Sequence, residues 1–133
     1  MPGQVLPVAW GKIEIFLTGL HFRLPDCYNG CMNAIERCRI DSFKHMATLI
    51  ADFRVEDSKW RASGPGIPTY RTAARAAAFH MLMGALTAYT RCGIFTYDEY
   101  KTLWQPLYDQ YFTDENTADM AEMAVEDFLQ RMA

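Results

Sequence analysis

The sequence predicts an all-α fold: an irregular bundle of four to five helices around one central, alanine-rich helix. Three observations predict it. Apolar residues recur at helical spacing through Cys31–Asp57, the stretch Arg71–Arg91 is alanine-rich and apolar on nearly every side, and Thr96 with Glu99 three residues on spells a capping box. The chain has 133 residues, of which 50% are hydrophobic and 22% charged, the profile of one packed domain. That composition excludes disordered, collagen-like and low-complexity classes. A single helical domain over 1–133 is expected, with Ser63–Thr69 an internal loop.

The first 25 residues carry conflicting signals. Pro7 reads as a first helical residue and Gly19 as a stop, giving a short helix over Val8–Thr18. Lys12-Ile13-Glu14-Ile15 alternates polar and apolar residues, so a short strand is the alternative. Pro25-Asp26 then offers a break and a cap.

Over Cys31–Asp57, Met32, Ile35, Phe43, Met46, Ile50 and Phe53 fall on one face, and Asp41, Thr48 and Asp52 fall opposite. Arg39 lies near the middle of that apolar face and calls for a partner. Ser63-Gly64-Pro65-Gly66-Ile67-Pro68-Thr69 is a loop by its two glycines and two prolines. The Arg71–Arg91 helix belongs in the centre of a fold if its apolar surroundings are read literally. Gly93 supplies a left-handed stop. The third helix runs Tyr97–Phe112 and contains Pro106, which should kink or divide it. The last, Thr117–Met132, is expected to bury Met120, Ala124, Val125, Phe128 and Leu129 and to turn Asp119, Glu122 and Glu126 outward.

Charge is unevenly placed. The formal net charge is -3, yet residues 1–95 balance at +4 and residues 96–133 at -7. Such asymmetry points to an interaction surface or to two halves of the fold facing each other. The start of the chain has no basic segment followed by an apolar run, so no secretory signal is expected. The four cysteines are therefore read as free thiols in a reducing cytoplasm. No run reaches the roughly 20 apolar residues of a membrane helix, and no membrane contact is expected.

Catalytic and metal chemistry find little support. Cys31, Cys38 and His45 are spaced by seven, about 10 Å per step along a helix, too far apart to share one ion. The cysteines are expected at the edge of the apolar face. Cys38 or Cys92 with His45 or His80 is the minimal thiol pair, but Cys92 follows a helix C-terminus, whose dipole disfavours a thiolate. His80 is expected as a core histidine with its hydrogen bonds met. No phosphate loop, dinucleotide fingerprint or nucleophile elbow is present. No enzyme activity and no cofactor are expected, and a thiol or metal site is a minor alternative.

Two surfaces remain. Tyr97, Tyr100, Trp104, Tyr108 and Tyr111 advance by three and four, forming one helical stripe of residues preferred at interfaces. With Asp109, Asp114, Glu115, Asp119, Glu122 and Glu126 they are expected to make an acidic, tyrosine-rich surface that docks on a basic region of a larger protein. The function expected is that of a small regulator or inhibitor acting by contact, for example by occupying a nucleic-acid groove. The alternative is direct nucleic-acid binding through Lys59, Arg61, Arg71 and Arg75, although internal pairing with the acidic third is the preferred use of those cations. A homodimer through the aromatic stripe is a further alternative.

Overall fold

The computed structural model describes residues 27–133, with side chains from Ala34 onward. The expectations for 1–26, and those for the side chains of Cys27, Cys31 and Met32, lie outside the described residues. Four helices make up the rest: α1 Cys27–Ala62, α2 Thr69–Arg91, α3 Tyr97–Phe112 and α4 Ala118–Met132. There is no strand among the described residues.

The helices stand at the corners of a square. α1 packs on α2 and α4, and α3 packs on α4 and α2, so α1 faces α3 across the diagonal. Contacts fix the directions. His45 meets Tyr89 and Asp57 meets Arg75, which makes α2 antiparallel to α1. Phe43 against Phe128, with Arg54 against Glu122, does the same for α4. Each helix thus runs opposite to its two neighbours, the up-down pattern that short connections favour.

The core is built where the sequence placed it on α1: Phe43, Met46, Ile50 and Phe53 are sealed, with Leu82 and Leu86 of α2, Leu103 and Leu107 of α3, and Ala121 and Val125 of α4. Phe95 closes the upper end, stacked on Phe43 at 4.3 Å between ring centres. Ile35 departs from the expectation and is exposed. It lies on the same face as Phe43 but about two helical turns further out, where α1 overhangs the bundle and meets no described neighbour.

Helix ends follow local chemistry. The Thr96 side chain accepts from the Glu99 amide at 3.1 Å and the Glu99 carboxylate accepts from the Thr96 amide at 2.8 Å, the reciprocal box the spacing predicts. Gly93 takes φ 79°, and the amides of Gly93 and Ile94 reach back to Thr90 and Tyr89, satisfying the last carbonyls of α2. Pro106 does not divide α3, which continues as one helix to Phe112.

α2 is not the central helix. Arg75, Phe79, Leu82 and Leu86 line its one buried side, while Tyr70, Ala73, Ala77, His80, Met81, Gly84 and Ala88 are exposed. Alanine all round gives a helix no angular contrast, so packing is decided by its few large side chains. His80 is accordingly a surface residue, not a core one. On α4, Met120 is exposed rather than buried, because the buried side is set by Ala118, Ala121 and Val125, rotated away from it.

Candidate interaction surfaces

The basic cluster expected around the 63–69 loop is not an exposed patch. Arg75 is buried, with its Nε donating to Asp57 Oδ1 at 2.7 Å and Nη2 donating to the Tyr111 carbonyl at 2.9 Å. Its guanidinium lies between the Trp60 ring at 3.9 Å and the Tyr111 ring at 4.4 Å. Arg61 donates to Asp57 Oδ2 at 2.6 Å and to the carbonyls of Gln110 and Asp114. Lys59 sits beside Glu56 at 3.8 Å, and Arg71 stacks on Tyr70 at 5.3 Å. Two of the four cations needed for a nucleic-acid contact are therefore consumed inside the protein. Both pair internally, but on Asp57 of α1 and on backbone carbonyls and not on the acidic third, whose one charged contact here is Asp114 at 3.6 Å from Arg61.

Asp57 is the hub, a buried carboxylate absent from the expected site. Gln110 Nε2 donates to it at 2.6 Å, and the Gln110 Oε1 accepts from the amides of Thr117 and Ala118, thereby capping α4. Burial pushes the Asp57 carboxyl up, but the hydrogen bonds from Arg61, Arg75 and Gln110 outweigh it and hold its pKa below the usual value. A second polar tie stands at the other end of the diagonal. Arg39 forks onto Glu99 at 2.7 and 3.1 Å and also donates to the Ile94 carbonyl, which explains an arginine on an apolar face. Burial raises the Glu99 pKa, while Arg39 and the Thr96 amide lower it by more, so the net shift is downward.

The acidic, tyrosine-rich surface is divided by the structure into two. The aromatic residues turn toward α2. Tyr111 lies flat on Phe79 at 4.0 Å and is half-buried, so it belongs to the fold and not to a free surface. Trp104 stacks on Tyr108 at 4.7 Å, Tyr108 on Phe112 at 4.6 Å, and Tyr97 on Tyr100 at 6.0 Å. Tyr97 at 66% and Phe112 at 57% are the most exposed of this ridge, and Trp104 and Tyr100 are half-buried.

The carboxylates lie on the opposite flank of α3 and on α4. Asp98 and Asp109 stand on the outer side of α3, eleven residues and three turns apart, and Asp98 and Asp127 line the groove between α3 and α4. Asp119 and Glu126 share the outer face of α4 with Met120 and Met123, exposed at 58% and 66%. Three expected site residues have other partners or places. Glu122 pairs with Arg54 of α1, Asp114 lies 3.6 Å from Arg61 at φ 61°, and Glu115 sits in the same turn, away from the aromatic ridge. Met120 is expected inward from its place in the apolar pattern, and Met123, between the outward Asp119 and Glu126, is absent from the expected site.

Among the described residues no three His, Cys, Asp or Glu side chains are grouped to hold a metal. Cys38 and Cys92 are exposed thiols, not edge residues of the core. His80 and Cys92 are twelve residues apart on or just past one helix, about 18 Å, and Cys38 and His45 about 10 Å, so neither forms a thiol–imidazole pair. His45 Nδ1 instead shares a 2.6 Å hydrogen bond with the Tyr89 hydroxyl, whose pKa burial raises. No described helix is long and apolar enough to cross a membrane. No protein-family model, no curated protein and no solved structure matches the chain.

Proposed function

We propose that this protein acts by protein–protein contact, presenting the outer face of α3 and α4 to a basic region of a larger partner. One observation carries the reading. Asp98, Asp109, Asp119 and Glu126 have no ion-pair partner among the described residues, and on α4 Asp119 and Glu126 share the outer face with the exposed Met120 and Met123. Carboxylates left unneutralised in a chain with this many arginines steer a cationic surface toward them. Methionine, flexible and polarisable, supplies adaptable apolar contact once the surfaces meet. A nucleic-acid-binding groove is one form such a partner takes, which makes the protein an inhibitor of that groove in this version. The division of the surface removes Tyr97, Tyr100, Trp104 and Tyr108 from this contact.

The test is capture of partners from a source-cell lysate at low and at high ionic strength, with wild-type protein and with Asp119→Lys/Glu126→Lys. Basic proteins retained by the wild type at low salt, released on raising the salt and absent from the variant, are expected. A bound set indifferent to salt and to the charge reversal overturns the reading.

A further inference from the structure

We infer that the α2–α3 side of the bundle binds single-stranded nucleic acid, one base entering a notch between Tyr100 and Trp104 while Lys101 and Arg91 hold phosphates. These residues lie apart from the acidic α3–α4 face, and the inference does not rest on that reading.

The aromatic ridge of α3 is broken at one place. Tyr97 stacks on Tyr100, and Trp104, Tyr108 and Phe112 form a second stack, but no ring contact joins Tyr100 to Trp104. A notch of about 480 Å³ opens there, lined by Tyr97, Tyr100, Lys101, Trp104 and Gln105. Its volume is that of a small-ligand site, about 300–1,000 Å³. Tyr100 and Trp104 are half-buried, so packing holds the two walls, while Lys101 and Gln105 are exposed at the mouth. Two ring walls flanking one gap accept a third flat ring between them.

Charge decides which flat ring. α2 contains no Asp or Glu. Of the α3 carboxylates, Asp98 lines the groove toward α4, Glu99 is held by Arg39, and Asp109 accepts from Gln105 at 3.0 Å on the α4 flank. Lys101 lies over the Tyr97 ring at 5.2 Å, and neither Lys101 nor Arg91 has an ion-pair partner among the described residues. Arg91 joins the site by register. His80 meets Tyr111 with 6.5 Å between ring centres. Because α2 and α3 run antiparallel, eleven residues along each from that contact, about three turns, bring Arg91 to the height of Tyr100. Arg91 shares its side of α2 with His80, Met83 and Thr87.

In a chain of net charge -3, the aromatic side is therefore also a cationic one. A flat ring on an anionic backbone is a nucleotide, and aromatic side chains in a cationic groove hold single strands without reading their sequence. A neutral sugar or an apolar peptide would use the rings but leave both cations idle, and a duplex hides its base faces. From Tyr97 to Phe112 the ridge is about 22 Å long, room for several nucleotides at about 3.4 Å or more each. Arg61 and Arg75, held inside the bundle, take no part.

The experiment is fluorescence anisotropy of a labelled oligothymidylate of about eight nucleotides, titrated with the full chain at several salt concentrations. Micromolar binding is expected at low salt, with log K falling against log salt at a slope of about -1.4, the value for two phosphate contacts on a single strand. Lys101→Gln and Arg91→Gln, both at exposed positions, should each reduce that slope by about 0.7. Trp104→Ala should weaken binding roughly tenfold, whereas Trp104→Phe, which keeps a flat wall, should stay near wild type. Thymidine monophosphate and a duplex of the same length should compete poorly. A wild type that binds no single strand at low salt overturns the proposal, whether the notch is bare, covered by another part of the chain or kept for a peptide. Competition by the monophosphate or the duplex equal to that of the single strand overturns it too, as does a slope unchanged in both cation variants.

Discussion

Replacing Asp57 with Asn tests the polar hub directly. The carboxylate is 2% exposed and accepts from Arg61, Arg75 and Gln110 at 2.6–2.7 Å. Asn keeps the shape but removes the charge and turns one acceptor into a donor, which then confronts the Arg61 or Gln110 donor. Removing one partner of a buried ion pair costs about 3–5 kcal/mol, because the other charge stays buried. Here Arg61 is one-third exposed and can turn to water, whereas Arg75, at 6%, cannot. Arg75 still has the Tyr111 carbonyl and two aromatic faces, each face being worth about 1 kcal/mol or more when desolvated. The expected loss is therefore at the low end, about 3 kcal/mol, a large part of the usual total of 5–15.

Urea unfolding followed by circular dichroism measures that loss, and calorimetry should show a Tm lower by roughly 10–15 °C for a chain of this size. The pH dependence provides the second check. A carboxyl whose folded pKa lies below its unfolded value of about 3.8 contributes stability above that value, and the contribution disappears as pH falls through the folded pKa. The gap between wild type and Asp57→Asn should thus be constant from pH 7 to about 5 and close on further acidification. A loss under 1 kcal/mol, or a gap that persists unchanged at pH 3, refutes the assignment of Asp57 as the charged centre of the bundle.

Three further substitutions probe local causes. Phe79→Ala removes a buried side chain sandwiched against Tyr111 and Phe53, and should cost about 3–5 kcal/mol in the same urea assay, with loss of the near-ultraviolet aromatic signal. Gly93→Ala meets no atom within 4 Å among the described residues but must hold φ 79°, so it should cost about 1 kcal/mol, whereas Gly84→Ala, equally open among them and mid-helix, should add up to about 1 kcal/mol. Glu99→Gln keeps a side chain able to close the capping box and loses only the charge facing Arg39. Glu99→Ala loses both and should be the less stable of the two by about 1 kcal/mol at pH 7.

Local signals were legible and tertiary ones were not. Thr96 and Glu99, and Gly93 after Arg91, act within one turn of chain, and the structure places the helix ends where they predict. Phe43, Met46, Ile50 and Phe53 were legible for the same reason, since a helical face is a property of spacing. The position of α2 was not, because seven alanines give no preferred side and Phe79, Leu82 and Leu86 decide it only once α1 and α3 exist. The partners of Arg39 and Arg75 lie 60 and 18 residues away, beyond any periodic reading. The supposed joint surface failed by an angle: Tyr108 and Asp109 are neighbours in sequence but about 100° apart around the helix, which sends one toward α2 and the other to the outer side of α3.

A square of four antiparallel helices exists in two hands, which differ in which neighbour stands on which side of α1, and apolar faces discriminate weakly between them. The two flanks of α1 are labelled differently. Arg54 reaches Glu122 on the α4 side, and His45 reaches Tyr89 on the α2 side. Exchange the neighbours and both contacts vanish. The choice between mirror-related arrangements is thus written in side chains that differ between the two flanks of α1, the buried Asp57–Arg75 pair on the α2 side among them.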